Sequence, residues 1–188
     1  MYNEMEEFAN TVSNHNKNKK IAGSILPAII CFVILVIIDQ ATKYWIDHNM
    51  DLFESIPVIK DVFEIYYIRN PGAAWGIFAD KQILFYICTI AVLIFGSWFY
   101  VQCAKSGAFC DVQILTVLIL SGAVGNFIDR LRFQYVIDFF YFKLIDFPVF
   151  NVADCYVTVG FLLLVILLFF KYKEEDLEHL FHGGKNGL

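Results

Sequence analysis

Four long uncharged stretches interrupt the polar positions of this chain. They cover residues 21–38, 82–104, 112–128 and 155–170, and the last extends upstream through 151–153. Each is close to the roughly 20 residues that a helix needs to cross a bilayer. The pattern predicts an all-α membrane protein with four transmembrane helices, at about 21–46, 82–104, 112–130 and 151–172.

Basic residues flank the first and the last of these stretches. Lys17, Lys19 and Lys20 precede the first, and Lys171 and Lys173 follow the fourth. Cytoplasmic segments carry the excess of lysine and arginine, so we expect both termini in the cytoplasm and the connections 47–81 and 131–150 on the outer face. This divides the chain into a polar cytoplasmic leader (1–20), a membrane domain (21–172) and a cytoplasmic tail (173–188). The length of the leader and the lack of an A-x-A-like exit argue against a cleaved signal peptide.

Both outer connections differ from short hairpins. Residues 60–69 alternate in the pattern of a short β-strand, and Asn70-Pro71-Gly72 ends it. Residues 133–150 are rich in phenylalanine and tyrosine, which favours a segment half inserted in the headgroup region.

Composition narrows the function classes. The chain is 59% hydrophobic and 18% charged, which makes a soluble enzyme an unlikely class. Its net charge of −5 disfavours nucleic acid as a partner, because binding a polyanion needs clustered basic residues. The five cysteines form no CxxC pair and the four histidines have no ligand spacing, so neither a metal site nor a disulfide framework is expected. We expect no cofactor.

Ionisable side chains near the apolar stretches require an explanation, since inserting one into a bilayer costs a free energy of roughly 2.5–3.5 kcal/mol. Asp39 and Lys43 are four residues apart, so a helix places them on one face, as a structural ion pair or as a substrate contact. Asn126 precedes Asp129 and Arg130 by one turn. If Asp129 and Arg130 only fix the end of the helix, both charges have a structural explanation. Asn126 has no such explanation and is therefore a candidate site residue.

Two further aspartates predict a catalytic pair. Asn151 and Asp154 have the spacing of a helix cap and its reciprocal carboxylate. Asp138 lies among valine, isoleucine and phenylalanine with no sequence-local partner, which favours its neutral form. Asp154, at a helix N-terminus, is then the ionised member. Such a pair can direct a water molecule at a peptide carbonyl.

Five polar clusters in this order make the chain closely resemble the lipoprotein signal peptidases, the signal peptidase II family of bacterial aspartyl membrane proteases. The matching stretches are Asp39-Gln-Ala-Thr-Lys43, Asn70-Pro-Gly-Ala-Ala-Trp75, Gly125-Asn-Phe-Ile-Asp-Arg130, Val136-Ile-Asp-Phe139 and Phe147-Pro-Val-Phe-Asn-Val-Ala-Asp154. Each is a weak signal alone, whereas together they are specific and span about residues 21–170.

The resemblance implies cleavage of lipid-modified prolipoproteins just before the diacylglyceryl cysteine, in the bacterial cytoplasmic membrane near its outer face. It implies that Asp138 and Asp154 are catalytic. It also implies a small extracytoplasmic β-cradle, a mobile outer segment over the site, contact with membrane lipid and, in our expectation, a monomer. The supporting positions that it implies are Asp39, Lys43, Asn70, Gly72, Asn126, Asp129, Arg130 and Asn151.

Two other classes remain open from the residues alone. A small proton-coupled transporter using Asp138 and Asp154 would also keep charges inside a helical bundle, although near mid-helix rather than at the helix ends. A non-catalytic assembly protein would use the same residues structurally. Replacing Asp138 separates the three, because only a protease loses cleavage and only a transporter loses transport.

Overall fold

The computed structural model describes residues 2–72, 82–107 and 109–176. The end of the first predicted outer connection, with Ala73–Trp75 of one matching stretch, lies outside this part, and so does most of the predicted tail (177–188). The helices are α1 (Tyr2–Asn49), α2 (Gln82–Ser106), α3 (Cys110–Phe133) and α4 (Val152–Phe170). All four are long and apolar enough to cross a membrane, which confirms the predicted fold class.

The first helix begins earlier than its apolar stretch. The part that could span a membrane is Ile21–Asn49, but α1 already starts at Tyr2. The leader contains no proline and no glycine before Gly23, so nothing in it interrupts helical hydrogen bonding. The polar leader is therefore a helical extension of the first membrane segment.

Helix α3 lies at the centre of the bundle and contacts the other three helices. Small residues allow α3 and α4 to approach closely. A Cβ at Gly122 would overlap the carbonyl oxygen of Ala153, and a Cβ at Gly160 would lie 2.8 Å from Ile119 Cγ1. This contact fixes the start of α4 against the last turns of α3.

Three antiparallel strands form a sheet at one end of the bundle, which we call the sheet end. They are β1 (Ser55–Ile59), β2 (Phe63–Asn70) and β3 (Val136–Tyr141), in the order β1-β2-β3. Asn70 pairs with Val136, and Ile68 pairs with Asp138. The predicted strand at 60–69 is thus confirmed as β2, whereas part of the segment that we expected to lie in the headgroups is β3.

The sheet is anchored to the helices at two places. An apolar cluster joins the end of α1 to the sheet through Ile46, Met50, Tyr67, Ile137 and Phe139. In addition, the backbones of Phe140 and Phe150 exchange hydrogen bonds of 2.8 and 3.0 Å. The second contact holds the residue before the α4 cap against β3.

Candidate functional site

A buried ion cluster connects α1 and α3 near the sheet end. Lys43 Nζ lies 3.0 Å from Asp39 Oδ2 and 3.0 Å from Asp129 Oδ2. All three side chains are almost fully buried. The predicted pairing of Asp39 with Lys43 is therefore present, whereas Asp129 faces this lysine instead of joining Arg130 in pinning the helix end.

Further hydrogen bonds extend the cluster to α4 and β3. Asp39 Oδ1 accepts from the backbone N–H of Ala153 at 2.9 Å, and Asp129 Oδ2 accepts from Ile137 at 3.3 Å. Gln40 Nε2 donates to the Gly125 carbonyl at 3.1 Å and to Asp129 at 3.0 Å. A side chain at Gly125 would overlap the Asp39 carboxylate, so glycine is needed for this approach.

Two asparagines link the ion cluster to the candidate catalytic pair. Asn126 Oδ1 accepts from Lys43 Nζ at 2.8 Å, and Asn126 Nδ2 donates to Asp154 Oδ1 at 2.7 Å. Asn151 Nδ2 donates to Asp138 Oδ1 at 2.6 Å and to Asn126 Oδ1 at 3.0 Å. Asn126, which sequence reasoning left without a structural explanation, thus connects three polar groups.

The predicted helix cap of α4 is present. Asn151 Oδ1 accepts from the Asp154 N–H, and Asp154 Oδ2 accepts from the Asn151 N–H, both at 3.0 Å. With the bond from Asn126, two N–H donors therefore face the Asp154 carboxyl group and fix its orientation.

Asp138 is more deeply buried than Asp154. Asp138 lies in β3 and is 2% exposed. Asn70 Nδ2 donates a hydrogen bond to its Oδ2 at 2.8 Å. Burial and the nearby charge of Asp154 raise the pKa of Asp138 to about 7, which outweighs the opposing effect of its hydrogen bonds. The pair therefore combines a deeply buried acid, which stays neutral well above the usual aspartate range, with the partly exposed Asp154.

Both aspartates line a cavity of about 490 Å³ that is open on one side. Asn70, Gly72, Asn126 and Arg130 also line it. Arg130 Nη2 donates to the Gly72 carbonyl at 3.2 Å, and its Cζ lies 4.3 Å from the centre of the Phe85 ring. Arg130 Nε is buried and has no hydrogen-bond partner among the described residues.

The structure brings all of the predicted site residues to one end of the bundle. Sequence reasoning missed Gln40 and Phe85, which contact this group, and Gln82, which bonds the backbone of Pro71 and Gln134 beside it. Gln40 had a usable signal, because it is an amide next to Asp39 in an apolar helix. Gln82 and Phe85 had none, since both lie in the first turn of a stretch whose sequence indicates only a membrane helix.

The arrangement can perform acid–base chemistry without a nucleophilic side chain. A neutral acid and a carboxylate on one cavity wall can polarise a carbonyl and take a proton from a water molecule. Within residues 2–72, 82–107 and 109–176, no three His, Cys, Asp or Glu side chains form a group that could hold a metal ion.

Comparisons with known proteins point in one direction. The family model for signal peptidase (SPase) II matches residues 31–170. Lipoprotein signal peptidases of Streptococcus pyogenes serotype M5 (strain Manfredo) and serotype M18 (strain MGAS8232) are each 42% identical over 148 residues, which is 79% of this chain and 94% of the relative. Two solved structures of bacterial membrane enzymes superpose with TM-scores of 0.71 and 0.70, at 36% and 38% identity. They cover 88% and 79% of this chain, and each matches over 96% of its own length.

Proposed function

Because this chain belongs to the signal peptidase II family, we propose that it cleaves lipid-modified prolipoproteins with Asp138 and Asp154 as its catalytic pair. One observation carries the assignment of the pair. A strand and a membrane helix each contribute one aspartate to the wall of a single cavity, and Asn126 and Asn151 hold both carboxylates. No comparison supports the transporter alternative.

The proposed reaction begins with a water molecule between the two aspartates. The Asp154 carboxylate takes a proton from the water as its oxygen attacks the scissile carbonyl carbon, and neutral Asp138 donates its proton to the carbonyl oxygen. The tetrahedral intermediate then collapses. Asp154 returns its proton to the leaving nitrogen of the lipidated cysteine, and Asp138 regains its proton from the hydroxyl. Each turnover consumes one water molecule and restores both aspartates.

The supporting residues keep this proton arrangement in place. Asn70 and Asn151 orient Asp138, while Asn126 orients Asp154. The buried Asp39, Lys43 and Asp129 hold Asn126 and the first turn of α4. Arg130 and Gly72 form the rim of the cavity, where the guanidinium of Arg130 can contact the substrate backbone. The supporting residues therefore form two groups: those that orient Asp138 and Asp154, and those that contact the substrate.

We place the protein in the bacterial cytoplasmic membrane, with both termini inside and the sheet end outside. The lysines beside the first and fourth spans support this orientation. The substrate enters from the membrane, where its diacylglyceryl group lies, and lipid surrounds the exposed apolar faces of the bundle. We also propose that the protein acts as a monomer. The division into leader, membrane domain and tail also remains our proposal.

Purified protein and a lipidated precursor in detergent test the function directly. Asp138→Asn and Asp154→Asn should bind the precursor without cutting it, because an amide keeps the shape but cannot carry the proton. Asp61→Asn is the matched control, since Asp61 is exposed in the turn between β1 and β2. Turnover of either site variant at the wild-type rate would overturn the catalytic pair.

A further inference from the structure

Gln82, the first residue of α2, bonds two loops that lie beside β3, the strand that contains Asp138. Its Nε2 donates to the carbonyl of Pro71 at 2.8 Å and to the carbonyl of Gln134 at 2.7 Å. A primary amide has two N–H groups, so the two bonds use the whole donor capacity of this side chain. Gln82 therefore connects the loop after β2 to the loop before β3.

The first of these loops follows Asn70, which is the last residue of β2 and a partner of Asp138. Asn70 Nδ2 donates to Asp138 Oδ2 at 2.8 Å, while Asn70 Oδ1 accepts from the Gly72 N–H at 3.0 Å. The direction of the Asn70 side chain thus depends on the path of the backbone through Pro71. Proline has no N–H to donate, so its carbonyl is the backbone group by which this residue can be held. Among the described residues, only Gln82 bonds that carbonyl.

The second loop sets the start of β3. Gln134 ends α3 in the left-handed conformation, with φ of 64°, and its N–H donates to the Arg130 carbonyl at 3.0 Å. This conformation is uncommon for residues other than glycine and needs support from its surroundings. The bond from Gln82 supplies a contact here, two residues before the strand that carries Asp138.

We propose that Gln82 is a positioning residue for Asp138, which it aligns by holding the Asn70 turn and the Gln134 cap at a fixed separation. This inference rests on the proposed catalytic role of Asp138. Gln82 contacts neither aspartate, so its effect passes through Asn70 and through the start of β3.

The expected effect is on turnover more than on binding. Gln82→Met keeps the length and removes both donors, so Asn70 loses its fixed orientation and the rate constant kcat should fall by about threefold to tenfold, as for one lost hydrogen bond. KM should change little, because Gln82 is absent from the cavity lining.

The pH profile gives an independent reading. The charged groups that face Asp138 are Asp154 on α4, Lys43 on α1 and Arg130 on α3, and the variant alters none of them. The bond from Asn70 favours ionised Asp138. Its loss should therefore move the basic limb of the profile to higher pH.

A double-mutant cycle in proteoliposomes tests the route. We would measure kcat, KM and the pH profile for Gln82→Met, Asn70→Ala and the double variant, with Gln102→Met on the same helix as the control. The loss in the double variant should be smaller than the product of the two single losses, because the part that passes through Asn70 is already absent in Asn70→Ala. Wild-type kcat and pH profile in Gln82→Met would overturn the proposal, and so would independent, multiplying losses in the double variant.

Two additional variants remove ambiguity. Gln82→Glu has the same shape without the donors, and it should reproduce the kinetic change if Gln82→Met folds poorly; a Gln82→Glu enzyme with normal kinetics would refute the proposal. Asp138→Asn separates this inference from the function on which it rests. If Asp138→Asn cleaves normally, the proposed catalytic pair is wrong, whereas an inactive Asp138→Asn beside a normal Gln82→Met contradicts the positioning role alone.

Discussion

Removing the buried lysine should destabilise the bundle more than removing either carboxylate that it contacts. Lys43 is 1% exposed and lies 3.0 Å from both Asp39 and Asp129. In Lys43→Met the side chain keeps its length, but two buried carboxylates face each other without a cation. Breaking a buried ion pair in this way costs about 3–5 kcal/mol. The folding equilibrium constant should fall by roughly two to three and a half powers of ten.

The companion variant Asp39→Asn leaves the buried charges of the cluster paired. One cation then still faces one carboxylate, Asp129, so the free energy of unfolding should fall by less than in Lys43→Met. Combining Lys43→Met with Asp39→Asn removes one of the two uncompensated charges. The double variant should therefore be more stable than the sum of the single losses indicates, because the two residues are in direct contact.

The thiol of Cys103 offers a reporter for these measurements. It is completely buried between α2 and α3, so alkylation of this thiol requires unfolding of the bundle. The assay would titrate a denaturing detergent into mixed micelles, in a background that lacks the other cysteines, which are Cys31, Cys88, Cys110 and Cys155. An unchanged midpoint for Lys43→Met, or a larger loss for Asp39→Asn, would refute the reasoning.

Three further outcomes follow from the same structure. Cleavage should show a bell-shaped pH profile with its basic limb near neutrality, because the proposed mechanism needs neutral Asp138 and the pKa of Asp138 is raised to about 7; a flat profile across the acid and neutral range would contradict the paired mechanism. Gly122→Leu should lower the free energy of unfolding by about 1–3 kcal/mol, since the added atoms overlap the Ala153 carbonyl, and thermal unfolding in micelles measures this. A reporter that is active only in the cytoplasm should be active when fused to Leu188, and an expressed but silent fusion would reverse the proposed topology.

The helices could be predicted from the sequence because a membrane span is signalled by length and lack of charge alone. The strands were less accessible. β2 alternates and was predicted, but β1 contains Pro57 and is exposed along its whole length, so it has no two-faced pattern. The first residues of β3 are buried on both faces and show no alternation either. The polar leader is also helical, but it has no run of apolar residues from which a helix could be predicted.

Residues of the candidate site could be predicted from the sequence where a polar residue stands among apolar ones. Asp138 and Asn126 were found in this way. Contacts that depend on strand register could not be found, because nothing in the spacing places Asn70 beside Asp138. The same is true of Gln82, whose partners are two backbone carbonyls on loops distant in sequence.

The cap of α4 has a consequence for inactivation. Asn151 both terminates this helix and holds Asp138, and Asp154 is its reciprocal capping group. Fraying of a single turn therefore disconnects both acids at once, although the rest of the helix stays intact. Mild heat should abolish cleavage while the circular dichroism of the bundle is unchanged, and amide exchange at Asp154 should rise in step with the lost activity. In this molecule, completing the proposed active site and closing the first turn of a helix are one event.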